Sequence, residues 1–380
     1  FSFIHAMSKA AVTALTGLAK EAFVYHLMEV KAQSNMSFDE IAEKIGVCNA
    51  YAGQLFYNQA QLKAETATKL KAAMPGLTDQ DIEQMKIAPM RSWDDNLVKE
   101  PNVYRTIEAC QHFGDSIKQI INEKFGDGIM SAIDFYVSVE KVIGAFGEAR
   151  VVIKFNGKYL PYINQLEEIR EKKTLPGATD AFMDVAIDTR CPEDSRVPKW
   201  EGDLPVYEVP ATAKALIGKA KEDFVSHLHL IKAKAHVSFD AIAKHLGTTN
   251  IYAAQLINNQ AQLKPVHATK LKELLPDLTD AMIRVMMLCP MRSWDPEIMK
   301  EPNVYRTVEA CQHFGQSIKH IINEKFGDGI MSAIDFFYTV DKGIGKSGEP
   351  RVLLTFNGKF LPYVEETTEM LNAMDLKECE

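Results

Sequence analysis

Hydrophobic and polar positions follow two periods in succession along the chain. Between residues 102 and 125, Val103, Ile107, Cys110, Gly114, Ile117 and Ile121 return at helical spacing and form one apolar stripe. A long helix is therefore predicted from about Asn102 to Phe125, ended by Gly126. After Gly128 the period drops to two: Ile129, Ser131, Ile133, Phe135, Val137 and Val139 share one face of a strand. Gly144 and Gly147 mark a turn, and the run ARVVIKF supplies the partner strand. Upstream, Phe38 to Gly46 and Asn49 to Asn58 have the pattern of a helix, a glycine-containing turn and a second helix. Thr78 and Asp79 are cap candidates for the helix in LTDQDIEQM. A two-stranded hairpin alone is marginal in water, so it should pair with another copy's strands or pack on a partner.

The pattern occurs twice. Met90 to Phe135 returns as Met291 to Phe336 at a constant offset of 201 positions, with seven differences in the stretch. The same offset aligns SFDEIAEKIG with SFDAIAKHLG, NQAQLK with itself and FNGKYLPY with FNGKFLPY. The period is too long for stacked solenoid repeats, so the chain is a duplicated domain. The expected fold class is α+β, each copy a helix-turn-helix-like bundle followed by a small β-hairpin domain. The expected bounds are a helical domain at 11–89 and a β-hairpin domain at 90–162, then a helical domain at 212–290 and a β-hairpin domain at 291–363. Between them, residues 163–211 form a charge-rich linker that opens with the helix-like QLEEIREKK and continues through five prolines from Pro176 to Pro210.

Composition narrows the function classes. The 380 residues carry a net charge of −8, which disfavours nucleic acid and anionic membrane as partners. The second helix of the helix-turn-helix pattern, NAYAGQLFYNQ or NIYAAQLINNQ, has no Lys or Arg to meet phosphates. No apolar run reaches the ~18 residues of a membrane span. The start, FSFIHAMSKAAVTALTG, lacks the basic and apolar regions of a secretory signal, so a cytoplasmic location is expected. Six cysteines show no metal-ligand spacing, and only Cys110 and Cys311 recur in both copies, so free thiols and no metal are expected.

Two features could carry chemistry. Arg105 and Glu108 lie three apart, nearly opposite the apolar stripe, and recur as Arg306 and Glu309. Their plain reading is a solvated ion pair. Ser131, repeated as Ser332, is a hydroxyl on an otherwise apolar strand face, either satisfied by backbone or lining a small dry pocket. The EKFGDG loop lacks the spacing of a phosphate cradle and is explained by a helix stop followed by strand entry.

The block YRTIEACQHFGDSIKQIINEKFGDGIMSAIDF with the closing NGKYLP resembles the catalytic domain of cyanase (cyanate hydratase), and does so twice. The resemblance implies that the upstream helical segment is the family's helix-turn-helix-like domain, which is not used on DNA. It assigns the catalytic arginine to Arg105 and Arg306, the glutamate to Glu108 and Glu309, and the serine to Ser131 and Ser332. Apolar pocket residues fall on Ile129 and Leu160, and on Ile330 and Leu361. The implied reaction joins cyanate to bicarbonate, its co-substrate, and releases ammonia and carbon dioxide through carbamate, with no cofactor or metal. The implied assembly is a ring of ten domains, here from five fused chains. The alternative is a non-catalytic assembly or regulatory protein reusing the fold. Met130, Met331, Asp134 and Asp335 differ from some family members and are candidates to alter the pocket wall.

Overall fold

Residues 14–162, 196–211, 214–365 and 367 are described in the computed structural model of the chain. The run read for a targeting signal lies largely outside them, and the QLEEIREKK stretch wholly so. Copy one opens with five helices: α1 (Gly17–Ser34), α2 (Phe38–Ile45), α3 (Asn49–Phe56), α4 (Ala64–Ala73) and α5 (Asp79–Met85). Local chemistry sets their ends. Ser37 and Glu40 form a capping box at the start of α2, and Gly46 ends that helix in the left-handed region at φ 75°. Thr78, with Asp81 three positions on, caps α5 in the same way. The predicted helix-turn-helix is therefore present as α2 and α3. Six of the eight residues of α3 are buried, so this helix has little face left for a nucleic-acid groove.

The predicted long helix exists in copy one as two segments, α6 (Pro101–His112) and α7 (Gly114–Phe125). Phe113 bends the backbone at φ −101°, ψ 5°. The helical ladder still crosses the bend through Phe113 N to Ala109 O at 2.9 Å and Ile117 N to Phe113 O at 2.8 Å. A glycine follows the bend, which is a common place for a helix to kink without losing its bonds. Two strands complete the copy, β1 (Gly128–Ile143) and β2 (Ala149–Pro161).

Copy two repeats the order with α8 (Gly218–Ala235), α9 (Phe239–Leu246), α10 (Asn250–Ile257), α11 (Pro265–Leu274) and α12 (Asp280–Met287). Its long helix α13 (Pro302–Phe326) is unbroken, and β3 (Gly329–Ile344) and β4 (Pro350–Pro362) follow. The two hairpins join into one antiparallel sheet of order β1-β2-β4-β3, with β2 and β4 as the seam. Each hairpin thus finds the partner it needs in the other copy. Along the seam Lys154 faces Thr355, its own counterpart at the 201 offset. Phe155 and Phe356, another such pair, are fully buried with ring centroids 5.2 Å apart. An internal two-fold relation between the copies passes through these pairs.

The copies also exchange helices. Copy one's bundle sits on α13 of copy two: Tyr57 Oη bonds His320 Nδ1 at 2.9 Å, and Phe38 N donates to Glu324 Oε2 at 2.8 Å. Copy two's bundle sits on α7: Phe239 N donates to Glu123 Oε2 at 2.8 Å, and Gln255 Nε2 to Ser116 Oγ at 3.0 Å. Gly53 lets the backbone of α3 lie against α13, since a Cβ there would come 2.7 Å from Ser317 Oγ. One core cluster runs through both copies. No described helix is long and apolar enough to cross a membrane.

Candidate active site

Asn102, fully buried in the first turn of α6, decides which strand the candidate site faces. Its Nδ2 donates to Gly329 O at 3.0 Å and its Oδ1 accepts from Met331 N at 3.0 Å, so it grips the start of β3 in the other copy. Asn303 grips Gly128 and Met130 reciprocally at 2.9 Å each. Such satisfied buried amides fix a contact more sharply than apolar packing does. Arg105 and Glu108, one turn further along α6, are therefore carried toward Ser332, and Arg306 and Glu309 toward Ser131.

Arg105 Nη1 and Glu108 Oε2 are 2.7 Å apart, and Arg306 and Glu309 repeat the pair at 2.7 Å. The arginine side chain keeps about a third of its surface, 38%, in contact with solvent, so this is a cavity-edge pair and not a core one. His112 Nε2 lies 3.9 Å from Glu108 Oε1. Burial pushes the His112 pKa down against the opposing pull of Glu108, with Arg292 pushing it the same way as burial.

Ser131 and Ser332 are buried, as a pocket hydroxyl requires, but they also shape the strand. Ser131 Oγ accepts from Ile133 N at 3.1 Å and from Asp134 N at 3.0 Å, and Ser332 does the same with Ile334 and Asp335. The register of β1 against β2 shifts between Met130 and Phe135 at this point, and that of β3 between Met331 and Phe336. The strict alternation expected from Ile129 to Val139 is thereby broken. Ile133 does not join the apolar face; it is 98% exposed at the bulge, as Ile334 is at 99%. With both lone-pair directions taken by backbone, the serine has its O–H left to donate.

Asp134 and Asp335 serve a clamp and do not line the Arg105 cavity. Arg150 Nη1 reaches Asp335 Oδ1 at 2.8 Å and Glu148 Oε1 at 3.0 Å while its Nε holds Asn357 Oδ1 at 2.6 Å. Arg351 repeats the clamp on Asp134 at 2.9 Å. Each bulge is thus tied to the central seam. Met130 and Met331 are fully buried.

Arg105, Glu108 and His112 open into a cavity of about 530 Å³ whose wall includes Ala333 and Ile334, the residues directly after Ser332. Copy two's helical domain adds Tyr252, Gln255 and Gln260 to the wall, the loop just after it adds Arg292, and β3 adds Phe336 and Tyr338. The structure therefore brings the arginine and glutamate of one copy into one cavity with the bulge of the other. Ile129 pairs with Leu160 and Ile330 with Leu361 across their hairpins, with Leu160 and Leu361 partly exposed, and none of these four lines this cavity. Among the described residues no group of three or more His, Cys, Asp or Glu side chains is placed to hold a metal ion. Sequence reasoning missed Arg292 and Gln260. The available signal was that Met-Arg-Ser-Trp and NQAQLK are identical in both copies, and the structure joins them: Arg292 Nη1 donates to Gln260 O, and Gln260 Nε2 to Ser293 O.

The family profile "Cyanate lyase C-terminal domain" matches twice, at residues 95–164 and 296–365. The cyanate hydratase of Phaeodactylum tricornutum is 54% identical over 157 residues, which cover 41% of this chain and 80% of the relative. That of Arabidopsis thaliana is 49% identical over 161 residues, covering 42% of this chain and 96% of the relative. This chain belongs to the cyanate lyase family. A crystal structure of cyanase from T. urticae matches 37% of this chain and 99% of that one at 26% identity and a TM-score of 0.33. The two cyanate lyase segments contain Arg105, Glu108, Ser131, Ile129 and Leu160 and their counterparts, and stop short of Arg91 and Arg292. The chain is accordingly a lyase-family enzyme with the family domain in tandem.

Proposed function

We propose that the chain breaks down cyanate using bicarbonate as co-substrate, without a metal or organic cofactor. The observation that carries this reading is the shared cavity, in which the Arg105–Glu108 pair of one copy meets the Ser332 bulge of the other. Both reactants are small anions. Bicarbonate oxygen attacks the cyanate carbon, and the adduct gathers two negative charges. Guanidinium groups fixed at the cavity wall stabilise that charge without having to reorganise. Holding the two anions together removes much of the entropic barrier of their encounter. Loss of carbon dioxide from the adduct, with uptake of one proton at nitrogen, leaves carbamate, which takes up a second proton and divides into ammonia and a second carbon dioxide. In total, cyanate, bicarbonate and two protons become ammonia and two molecules of carbon dioxide.

In this reading Arg105 and Arg306 bind the reacting anion, and Glu108 and Glu309 orient them and limit positive charge in the empty site. Ser332 and Ser131 donate their free O–H to a bound oxygen, and Ile129, Leu160, Ile330 and Leu361 close the apolar side. The last role needs a further chain, because these four lie outside the Arg105 cavity. A ring of five chains supplies one. The exposed Ile133, Ile334, Tyr136 and Phe337 support such an assembly, since apolar side chains in this number favour cover. Ammonia release from cyanate by carefully degassed protein, with and without added bicarbonate, tests the reaction. Bicarbonate-dependent release is expected, and a folded oligomer inactive under both conditions would move the chain to the non-catalytic reading. Light scattering tests the ring, which a fully active single chain would exclude.

A further inference from the structure

The Arg105 cavity contains a second guanidinium, on a loop whose sequence is identical in the two copies. Arg292 belongs to Met291–Trp294, where the chain leaves copy two's helical domain, and it lines the same cavity as Arg105. The loop is held at several points. Arg292 Nη1 donates to Gln260 O, Gln260 Nε2 donates to Ser293 O, and Lys221 Nζ donates to Met291 O at 2.8 Å. Trp294 stands edge-on to His112 with centroids 4.7 Å apart, so the loop of one copy rests on the catalytic helix of the other. Copy one repeats this arrangement with Arg91 on Gln59 O, Lys20 on Met90 O at 2.8 Å and Trp93 on His313 at 4.8 Å.

Charge separates this arginine from the others at the two-copy junction. Arg105, Arg306, Arg150 and Arg351 each have a carboxylate partner. Among the described residues, Arg292 and Arg91 have none within 4.0 Å, and the one hydrogen bond each makes there is to a backbone carbonyl. A carbonyl does not neutralise a guanidinium, so a net positive charge remains at the wall of the cavity. The planar fork suits two oxygens of a planar anion better than the end of a linear one. Gln255, Gln260 and Tyr252 lie on the same wall with further polar groups.

We propose that Arg292, and Arg91 in the equivalent site beside Arg306, bind the planar co-substrate bicarbonate next to the cyanate held at Arg105 or Arg306. The assignment rests on the function proposed above and adds to it the place where the second anion binds. Each site then needs the helical domain and bulge of one copy together with the catalytic helix of the other.

The test uses the full chain with both loops changed, as R91Q/R292Q and as R91K/R292K. For the glutamine pair the KM for bicarbonate should rise about tenfold or more, the loss expected for a charge-assisted contact. At saturating bicarbonate kcat should stay within roughly threefold, because the contact binds the ground state as well as the transition state. The KM for cyanate should change little. The lysine pair keeps the charge and loses the fork, and its bicarbonate KM should rise several-fold. A second readout is independent of turnover: melting temperature against bicarbonate concentration at fixed pH and ionic strength, with chloride as control. Bicarbonate should raise the wild-type melting temperature more than chloride does, and the glutamine pair should lose that gain.

The proposal is overturned if the folded glutamine pair keeps both the bicarbonate KM and the thermal gain. It is also overturned if that pair loses kcat and both KM values together, the mark of a loop anchor only. Should the glutamine pair fail to fold, an unchanged bicarbonate KM in the lysine pair would overturn it as well. A wild type that gains stability from bicarbonate through Arg292 yet does not consume cyanate would retire the proposed reaction and leave the anion site standing.

Discussion

The sulfur atoms of Cys110 and Cys311 face each other 3.8 Å apart, each fully buried, where α6 of one copy meets α13 of the other. They are counterparts at the 201 offset, so the internal two-fold relation of the seam passes between them as well. Burial pushes the Cys311 thiol well above its ordinary pKa, so it stays protonated, and both sulfurs are shut away from solvent in the folded protein. Iodoacetamide applied to native protein is expected to label the exposed Cys289 and spare Cys110 and Cys311, with both labelled after unfolding in urea. Peptide mapping by mass spectrometry checks this. Cys311→Ser places a hydroxyl in that apolar contact and should destabilise the chain by about 1–3 kcal/mol in urea titrations.

The Arg105–Glu108 pair should matter far more to turnover than to folding. Arg105→Ala combined with Arg306→Ala is expected to lower kcat/KM by roughly 10²-fold or more, the usual loss for a preorganised group facing developing charge. The pair is over a third exposed on the arginine side, so stability should fall by less than about 1 kcal/mol. Steady-state ammonia release and a urea titration on the same preparation separate the two effects.

Asn102 is expected to behave in the opposite way. Asn102→Ala removes the partners of Gly329 O and Met331 N in a buried place, which should cost about 3 kcal/mol. Because the same residue carries Arg105 toward the other copy's bulge, activity should fall with stability. A variant that kept full stability would show that this grip does not set how the copies meet.

Acid should weaken the fold through its histidines. His112, His227, His229, His313 and His320 all have depressed pKa values, with burial the first cause in each. The unfolded chain therefore binds protons before the folded one as pH falls through the ordinary value of 6.5, and stability present at pH above that window is lost below it. Melting temperatures at about pH 7.5 and 5.5 should show the drop. His229 has Met28 as its counterpart in copy one, and His229→Met should flatten the slope.

Much of this architecture is legible in the sequence where local chemistry determines it. The stripe from Val103 to Ile121 marks the helix of α6 and α7, Thr78 marks a cap, and the 201 offset marks the duplication. The alternation through Ile133 fails because Ser131 spends its oxygen on two backbone donors, a choice that a period of two does not encode. The exchange of helices between copies is hidden for another reason. Asn102 and Asn303 are the same residue in the same motif, so nothing along the chain says whether each grips its own strand or the other's. Arg105, Glu108 and Ser131 were visible as candidates. The loop bearing Arg292 was visible only as repeated letters, since its role depends on a cavity walled by both copies.

The seam at Lys154 and Thr355 shows what joining the copies in one chain permits. In a pair of identical chains, a residue on the two-fold axis meets its own image, and a lysine there would face a lysine with like-charge repulsion across the strands. Fusion removes that obligation: each half of a symmetric contact can change alone. The chain uses this freedom at the helix exchange too, where Tyr57 and His320 on one side stand opposite Asn258 and Gln119 on the other. A symmetric enzyme has in this way acquired two distinguishable halves, and substitutions tolerated in one need not be tolerated in the other.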